Sequence, residues 1–404
     1  MSRFKRLITS LMILYAASAV AEFVPETAFE EILPDNNGQQ WFWAYGSRIP
    51  SNNDGQAYLF DESGKRLGQL STGFWFNSLA NVKSRNEIVT VESYFSRGSR
   101  GERTDLVAIH DARTLRVKSE IAIPPKRMNG VKNNGLLRLT EDERFALIIN
   151  YTPAQSISIV DLEKGVFVEE VETPGCSVIY GAGNRDFYSI CGNGSFLQIK
   201  LDDDGKVVAR KRSERLFDAV NDFVSIAASR ISDTWYFVSR QYNVYAIKMA
   251  GDTIELVDTW SLVSDAERED QWTIAAMDHT TTHAATNRLY VMMRQGEAHQ
   301  FEEASNHVWV YDVATGEKLD EIELAEPAVA MKVSQGQEPK LYTMSFHFPI
   351  PILAQLWMFI FDGEDSLLEI ARQRVSVYDG LTGEHRRDSE LIPHGGFVLY
   401  TQPW

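Results

Sequence analysis

Cysteine is nearly absent from this chain, which holds two in 404 residues, Cys176 and Cys191. Two thiols exclude a disulfide-dense scaffold and a four-thiolate metal site. The apolar run near the start, Leu7 to Val20, stops at about fourteen residues, short of the roughly 20 that a membrane-spanning helix needs. Helical periodicity is equally scarce. Leu262 to Asp270 has helix-forming composition but is short enough to be a loop helix. Basic residues are outnumbered, with 40 Lys and Arg against 56 Asp and Glu, and the net charge of -16 weighs against nucleic acid as a partner. A Gly-x-Ser-x-Gly elbow, a Walker loop and a dinucleotide fingerprint are all missing, so standard nucleophilic and nucleotide chemistry lacks a sequence basis.

Among the histidines, His279 and His283 lie four apart, a spacing that places two metal ligands on one face of a helix. The three threonines between them favour a strand or loop instead. His110, His299, His307, His347, His385 and His394 are scattered without ligand spacing. The carboxylates of Asp202-Asp203-Asp204 point in different directions in a hairpin turn, which fits a solvated turn better than a calcium site. No catalytic, cofactor-binding or metal-ligating residue is therefore assigned to this chain.

The first six residues, MSRFKR, carry three positive charges ahead of the apolar run, and Ala19-Val20-Ala21 offers small residues where a signal peptidase reads. Residues 1–21 are read as a secretory signal cleaved after Ala21, which places the protein in the periplasm, with an uncleaved anchor as the alternative. Cleavage removes Arg3, Lys5 and Arg6 and no acid, moving the net charge from -16 to -19. In an oxidising compartment Cys176 and Cys191 are expected to form a disulfide, two unpaired buried thiols being the alternative. Residues 22–40 form an acidic N-terminal arm, either an extension that packs on a partner or a disordered tail.

From residue 41 to 404 a strand, acidic turn, strand unit recurs. Its clearest copies are VWVYDVATGEKLDEIEL from Val308 and VSVYDGLTGEHRRDSEL from Val375. Weaker copies begin at Ala57, Leu106 and Ile157, and degenerate ones at Leu197 and Val244. The turn positions Asp61, Asp111, Asp161, Leu201, Met249, Asp312 and Asp379 define seven units at intervals of 50, 50, 40, 48, 63 and 67 residues. Units of that size with further strand-like runs between them, such as RFALIIN and RLYVMMR, predict an all-β fold: a seven-bladed β-propeller of four-stranded antiparallel blades. The alternation in VWVYD suits strands with one face buried between neighbouring sheets.

The loops between these units carry a resemblance. Residues 96–115, SRGSRGERTDLVAIHDARTL, are similar to an Arg-Gly-x-Arg-Ser/Thr-Asp stretch and following strand in the large subunits of tryptophan tryptophylquinone amine dehydrogenases, the methylamine and aromatic amine enzymes. Pro124 to Phe145, PPKRMNGVKNNGLLRLTEDERF, resembles the aromatic amine (aralkylamine) branch in particular, as does Pro153-Ala154 with SISIVDLEKGVFVEEV. Cys176 and Cys191 also fall where that family places a disulfide within its large subunit.

The resemblance implies a cofactor-free subunit in a heterotetramer of two large and two small chains. The small chain would carry the tryptophan tryptophylquinone and the catalytic base, and would pass electrons from amine oxidation to a periplasmic copper protein or cytochrome. The nine tryptophans here, among them Trp41, Trp43, Trp75, Trp235 and Trp309, are read as core or interface residues. Three departures bear on the transfer. A Pro-Gly-Gly turn of the family is Thr-Ile-Ala-Ala after Trp272, the first-blade region Arg48 to Asn53 offers no channel-lining phenylalanine, and Phe346 to Ala371 inserts a long apolar run before the last unit. That run is read as an inserted hairpin against the propeller or a sticky patch, with membrane contact not expected. The alternative function is a free-standing periplasmic interaction platform without redox activity.

Overall fold

The computed structural model describes residues 32–48, 54–75, 77–128, 130, 134–297, 303–348, 350–351, 357, 372–392 and 396–403. The chain divides into two units, Met1–Leu33 and Pro34–Trp404, and nearly all of the first lies outside the described residues. The signal-peptide reading and most of the arm and of the apolar insertion fall there too.

Within the second unit the strands form seven blades, each of four antiparallel strands. Blade 1 joins both ends of the chain in the order Gly396–Pro403, Phe42–Arg48, Gly55–Phe60, Arg66–Ser71. Blades 2 to 5 run in sequence order from Ser78–Val82, Leu137–Leu139, Cys176–Gly181 and Ser229–Ile231, their first strands. Blades 6 and 7 share one long strand, Lys318–Val333: its first half pairs with Ser305–Asp312 as the fourth strand of blade 6, and its second half pairs with Lys340–His347 as the first of blade 7. Each of the seven sequence units maps onto the third strand and turn of one blade.

The turn acids explain why the units recur. Asp61, Asp111, Asp161, Asp312 and Asp379 each accept backbone amides two and three or four residues further on, at 2.7–3.2 Å. This is the side-chain turn for which aspartate is suited. In blade 4 the acid is Asp202, one residue after the aligned Leu201, and it accepts from Asp204 and Lys206 at 2.9 and 2.8 Å. The third strands are buried on both faces, not on one as their alternation suggested. Val308 and Val310 pack towards blade 7, whereas Trp309 and Tyr311 pack towards blade 5. The core is thus a ring of layers sandwiched between neighbouring sheets.

The one helix expected from composition forms as Asp265–Glu269 between blades 5 and 6. Ser264 caps it, with Glu267 returning a hydrogen bond to the Ser264 amide at 2.8 Å. Among the described residues no helix is long and apolar enough to cross a membrane.

Cys176 and Cys191 lie directly opposite each other on the first two strands of blade 4 and are joined by a disulfide. The bond closes a segment with a sequence separation of 15, for which loop-closure entropy predicts about 3 kcal/mol of stabilisation. The Cys176→Ser, Cys191→Ser double variant is expected to unfold at lower denaturant by that order, and the wild type to match it after reduction. Equilibrium unfolding in urea measures both.

Candidate functional site

Antiparallel strands give the ring two distinct faces. One carries the turns between first and second and between third and fourth strands. The other carries the blade-to-blade connections and the loops between second and third strands.

On the turn face all seven first strands meet around a cavity of about 990 Å3. Asn81, Arg138, Gly181, Ser229, Thr281, Lys332 and Pro403 each contribute from a different blade, which identifies the cavity as the mouth of the central channel. Asn36 to Trp41 lie across one side of it. Gln40 is held there by Ser334 Oγ at 3.0 Å and by its own Nε2 donating to the Glu338 carbonyl at 3.2 Å. The wall holds four basic side chains, Lys83, Arg138, Arg230 and Lys332, against one carboxylate, Glu141. That balance is opposite to the protein's net charge of -16. None of these five charged residues was singled out from sequence, because each blade supplies only one or two of them and no local motif marks the set.

The connection face carries the loops in which the family resemblance was read, and the structure shows two of those segments interlocked. Arg103 of the RGERTD stretch makes a bidentate pair with Asp105, both bonds at 2.8 Å. Asp105 accepts the backbone amide of Arg127 at 2.9 Å, and the Arg127 guanidinium donates to Ser93 Oγ at 2.7 Å. Arg103 in turn donates to the Arg127 carbonyl at 2.7 Å. Burial pushes the Arg127 guanidinium down to about 10, with Asp105 opposing the shift, so the side chain stays charged near neutral pH. Arg103 and Asp105 have a physical role in this stretch: with Arg127 they clamp the loop between blades 2 and 3.

A second buried polar cluster lies one strand face away. Burial alone raises the pKa of the Glu92 carboxyl, but hydrogen bonds from His110, Thr90 and Tyr94 outweigh it and hold it below its ordinary value. On the same face of the ring Tyr151, Val220, Phe223 and Ile226 are exposed, Val220 at 83%. The apolar insertion also springs from this face. Its two feet, His347 and Arg372, are paired in register, and Glu326 accepts from His347 Nδ1 at 2.7 Å and from Arg374 Nε at 2.9 Å.

The altered turn after Trp272 breaks the first strand of blade 6 in two, Trp272–Ile274 and Thr280–His283. Ala276 takes a left-handed φ of 69° in the break, a conformation that glycine adopts more readily. His279 lies in the break, buried, with Nδ1 at 3.3 Å from the Ala276 carbonyl. His283 has Nδ1 at 2.8 Å from Thr286 Oγ1 and Nε2 at 3.0 Å from the Gly336 carbonyl, so both its nitrogens are engaged. His279 Nε2 is buried without a hydrogen-bond partner, and no group of three or more His, Cys, Asp or Glu that could hold a metal is gathered among the described residues. Trp43, Trp235 and Trp309 are core residues, and Trp75 is half-buried with a left-handed φ of 62°.

Burial lowers the pKa of His279 from 6.5 to about 4. Its unfolded form binds a proton that the folded form refuses, so stability is greatest above pH 6.5 and falls as pH drops towards 4. His279→Asn is expected to flatten the stability profile in that window by up to about 3 kcal/mol, as urea unfolding at stepped pH would show. An unchanged acid limb contradicts the assignment.

Residues 52–363 match the family described as methylamine dehydrogenase heavy chain. The heavy chain from Methylobacillus flagellatus is 30% identical over 285 residues, covering 69% of this chain and 70% of the relative. That from Paracoccus versutus is 24% identical, covering 86% and 76%. Among solved structures, a dihydro-heme d1 dehydrogenase in complex with DHE superposes with a TM-score of 0.53 over 95% of this chain and 78% of its own, at 15% identity, a likeness of fold alone. With a family match across most of the propeller, this chain belongs to the methylamine dehydrogenase heavy-chain family.

Proposed function

We propose that this chain is the large, cofactor-free subunit of a periplasmic quinone-dependent amine dehydrogenase, acting on primary amines of the aromatic class. The family match over residues 52–363 carries the reading as an amine dehydrogenase large subunit, and the likeness of Pro124 to Phe145 to the aromatic amine branch supports the substrate class. The interlocked Arg103, Asp105 and Arg127 support it, because they fix the loops that resemble the family. The partner would be a small chain bearing tryptophan tryptophylquinone, two of each forming the complex, with a periplasmic copper protein or cytochrome as electron acceptor. When present, the quinone supplies the electrophilic carbonyl and the two-electron sink for amine oxidation.

This chain's own residues would provide the docking surface. Tyr151, Phe223 and Ile226 on the connection face are apolar and exposed, as the centre of a protein interface requires. The Arg127 clamp beneath them holds the loops rigid, which lowers the ordering cost of association.

Native purification from the periplasm of the source cell tests the reading. A small quinone-bearing chain is expected to copurify, with visible absorption and dye-linked oxidation faster on phenylethylamine than on methylamine. A lone colourless propeller without amine oxidation overturns it.

A further inference from the structure

The channel mouth on the turn face holds a charge that the protein itself does not match. Arg138 stands on the three-residue first strand of blade 3, Leu137–Leu139. Its Nε donates to the Ile179 carbonyl at 2.9 Å, and its guanidinium lies over the Trp235 ring, 5.4 Å from the centroid. Trp235 is pinned in turn by Nε1 donating to the Gly181 carbonyl at 2.9 Å. Among the described residues Nη1 and Nη2 of Arg138 have no hydrogen-bond acceptor. The guanidinium is therefore fixed in orientation by one bond and one stacked ring, with its outer edge left open.

Two other cations of the wall are matched. Arg230 lies 3.4 Å from Glu141 and 3.7 Å from Asp233, and Lys332 lies 3.8 Å from Asp278. The neutral polar groups are committed as well: Gln335 Nε2 donates to the Thr282 carbonyl at 2.7 Å, and Asn81 Nδ2 to the Pro403 carbonyl at 3.2 Å. Arg138 is thus a donor left open towards the cavity among the described residues. A guanidinium does not shed its proton to relieve such a position, and its fork of donors fits the paired oxygens of a carboxylate or phosphate. The cavity, about 990 Å3, has room for a small molecule around that contact.

We infer that the channel mouth is a binding site for a small oxyanion, a carboxylate or a phosphate, anchored by Arg138 through Nη1 and Nη2. Trp235 is a positioning residue that holds the guanidinium in place, and Arg230 adds long-range attraction from the rim. Burial depresses the pKa of Arg138, a cost to its charge that a bound anion would offset. The site lies on the face opposite the loops assigned to the small subunit and needs no partner chain. Its failure and the failure of the dehydrogenase reading are therefore separate results.

Calorimetric titration of the full chain at low ionic strength with sodium phosphate, and separately with sodium succinate, tests the site. Saturable one-to-one binding of either anion is expected, with at least tenfold weaker binding in Arg138→Gln. Binding of phosphate alone or succinate alone assigns the ligand to that class, and binding of both supports the shared chemistry. Absence of saturable binding with both anions, or full affinity in a folded Arg138→Gln, overturns the inference. If that variant does not fold, the anomalous signal of selenate in wild-type crystals decides. A peak within hydrogen-bond reach of the Arg138 guanidinium supports the site, and the lack of one there contradicts it.

Discussion

The strand Gly396–Pro403 pairs antiparallel with Phe42–Arg48, from Phe42 opposite Pro403 to Arg48 opposite Gly396, and this ladder turns a row of blades into a ring. Bringing together residues about 350 positions apart costs on the order of 5 kcal/mol of chain entropy, because loop closure scales only with the logarithm of length. Packing across the seam offsets it. Phe42 is fully buried, stacks on Phe60 of its own blade at 5.4 Å and meets Tyr342 of blade 7 at 4.8 Å. Closure also sets the geometry of both faces. The channel mouth takes one wall from each first strand, so it exists only while the ring is shut.

The two faces divide the chemistry. On the connection face, Arg103 pairs with the buried Asp105, which also accepts the Arg127 amide, while the buried Arg127 guanidinium donates to Ser93 Oγ, so that each buried polar group is engaged. On the turn face, a cationic mouth opens in an otherwise acidic protein, and its Arg138 is held by the Ile179 carbonyl and the Trp235 ring instead of a carboxylate. The first arrangement lies beneath the surface proposed for the small subunit; the second carries the proposed anion site. Both derive from short loops carried on rigid strands, the usual place for function on a propeller.

Much of this architecture was legible in the sequence, because a turn that needs an acid at a fixed place repeats. Asp111, Asp161, Asp312 and Asp379 marked their blades directly. Blade 4 was placed by spacing, since its turn acid, Asp202, is displaced by one position. In blade 5 the corresponding acid, Asp252, instead bonds Gln198 and Lys200 of the neighbouring blade. The first strands were illegible: Leu137–Leu139 and Ser229–Ile231 are three residues long, too short to show alternation. The closing strand was missed because its partner lies at the other end of the chain. The channel mouth was missed because its members, Arg138, Arg230 and Lys332, are far apart in sequence and gather only through ring closure. The disulfide partners, by contrast, needed no pattern beyond being two.

The dependence on closure is tested most directly by unfolding a chain ending at His394, with and without a synthetic peptide of residues 395–404. The shortened chain is expected to lose its single cooperative transition and to unfold at much lower denaturant, and the peptide to restore both. A shortened chain that unfolds cooperatively at the wild-type midpoint would contradict that dependence.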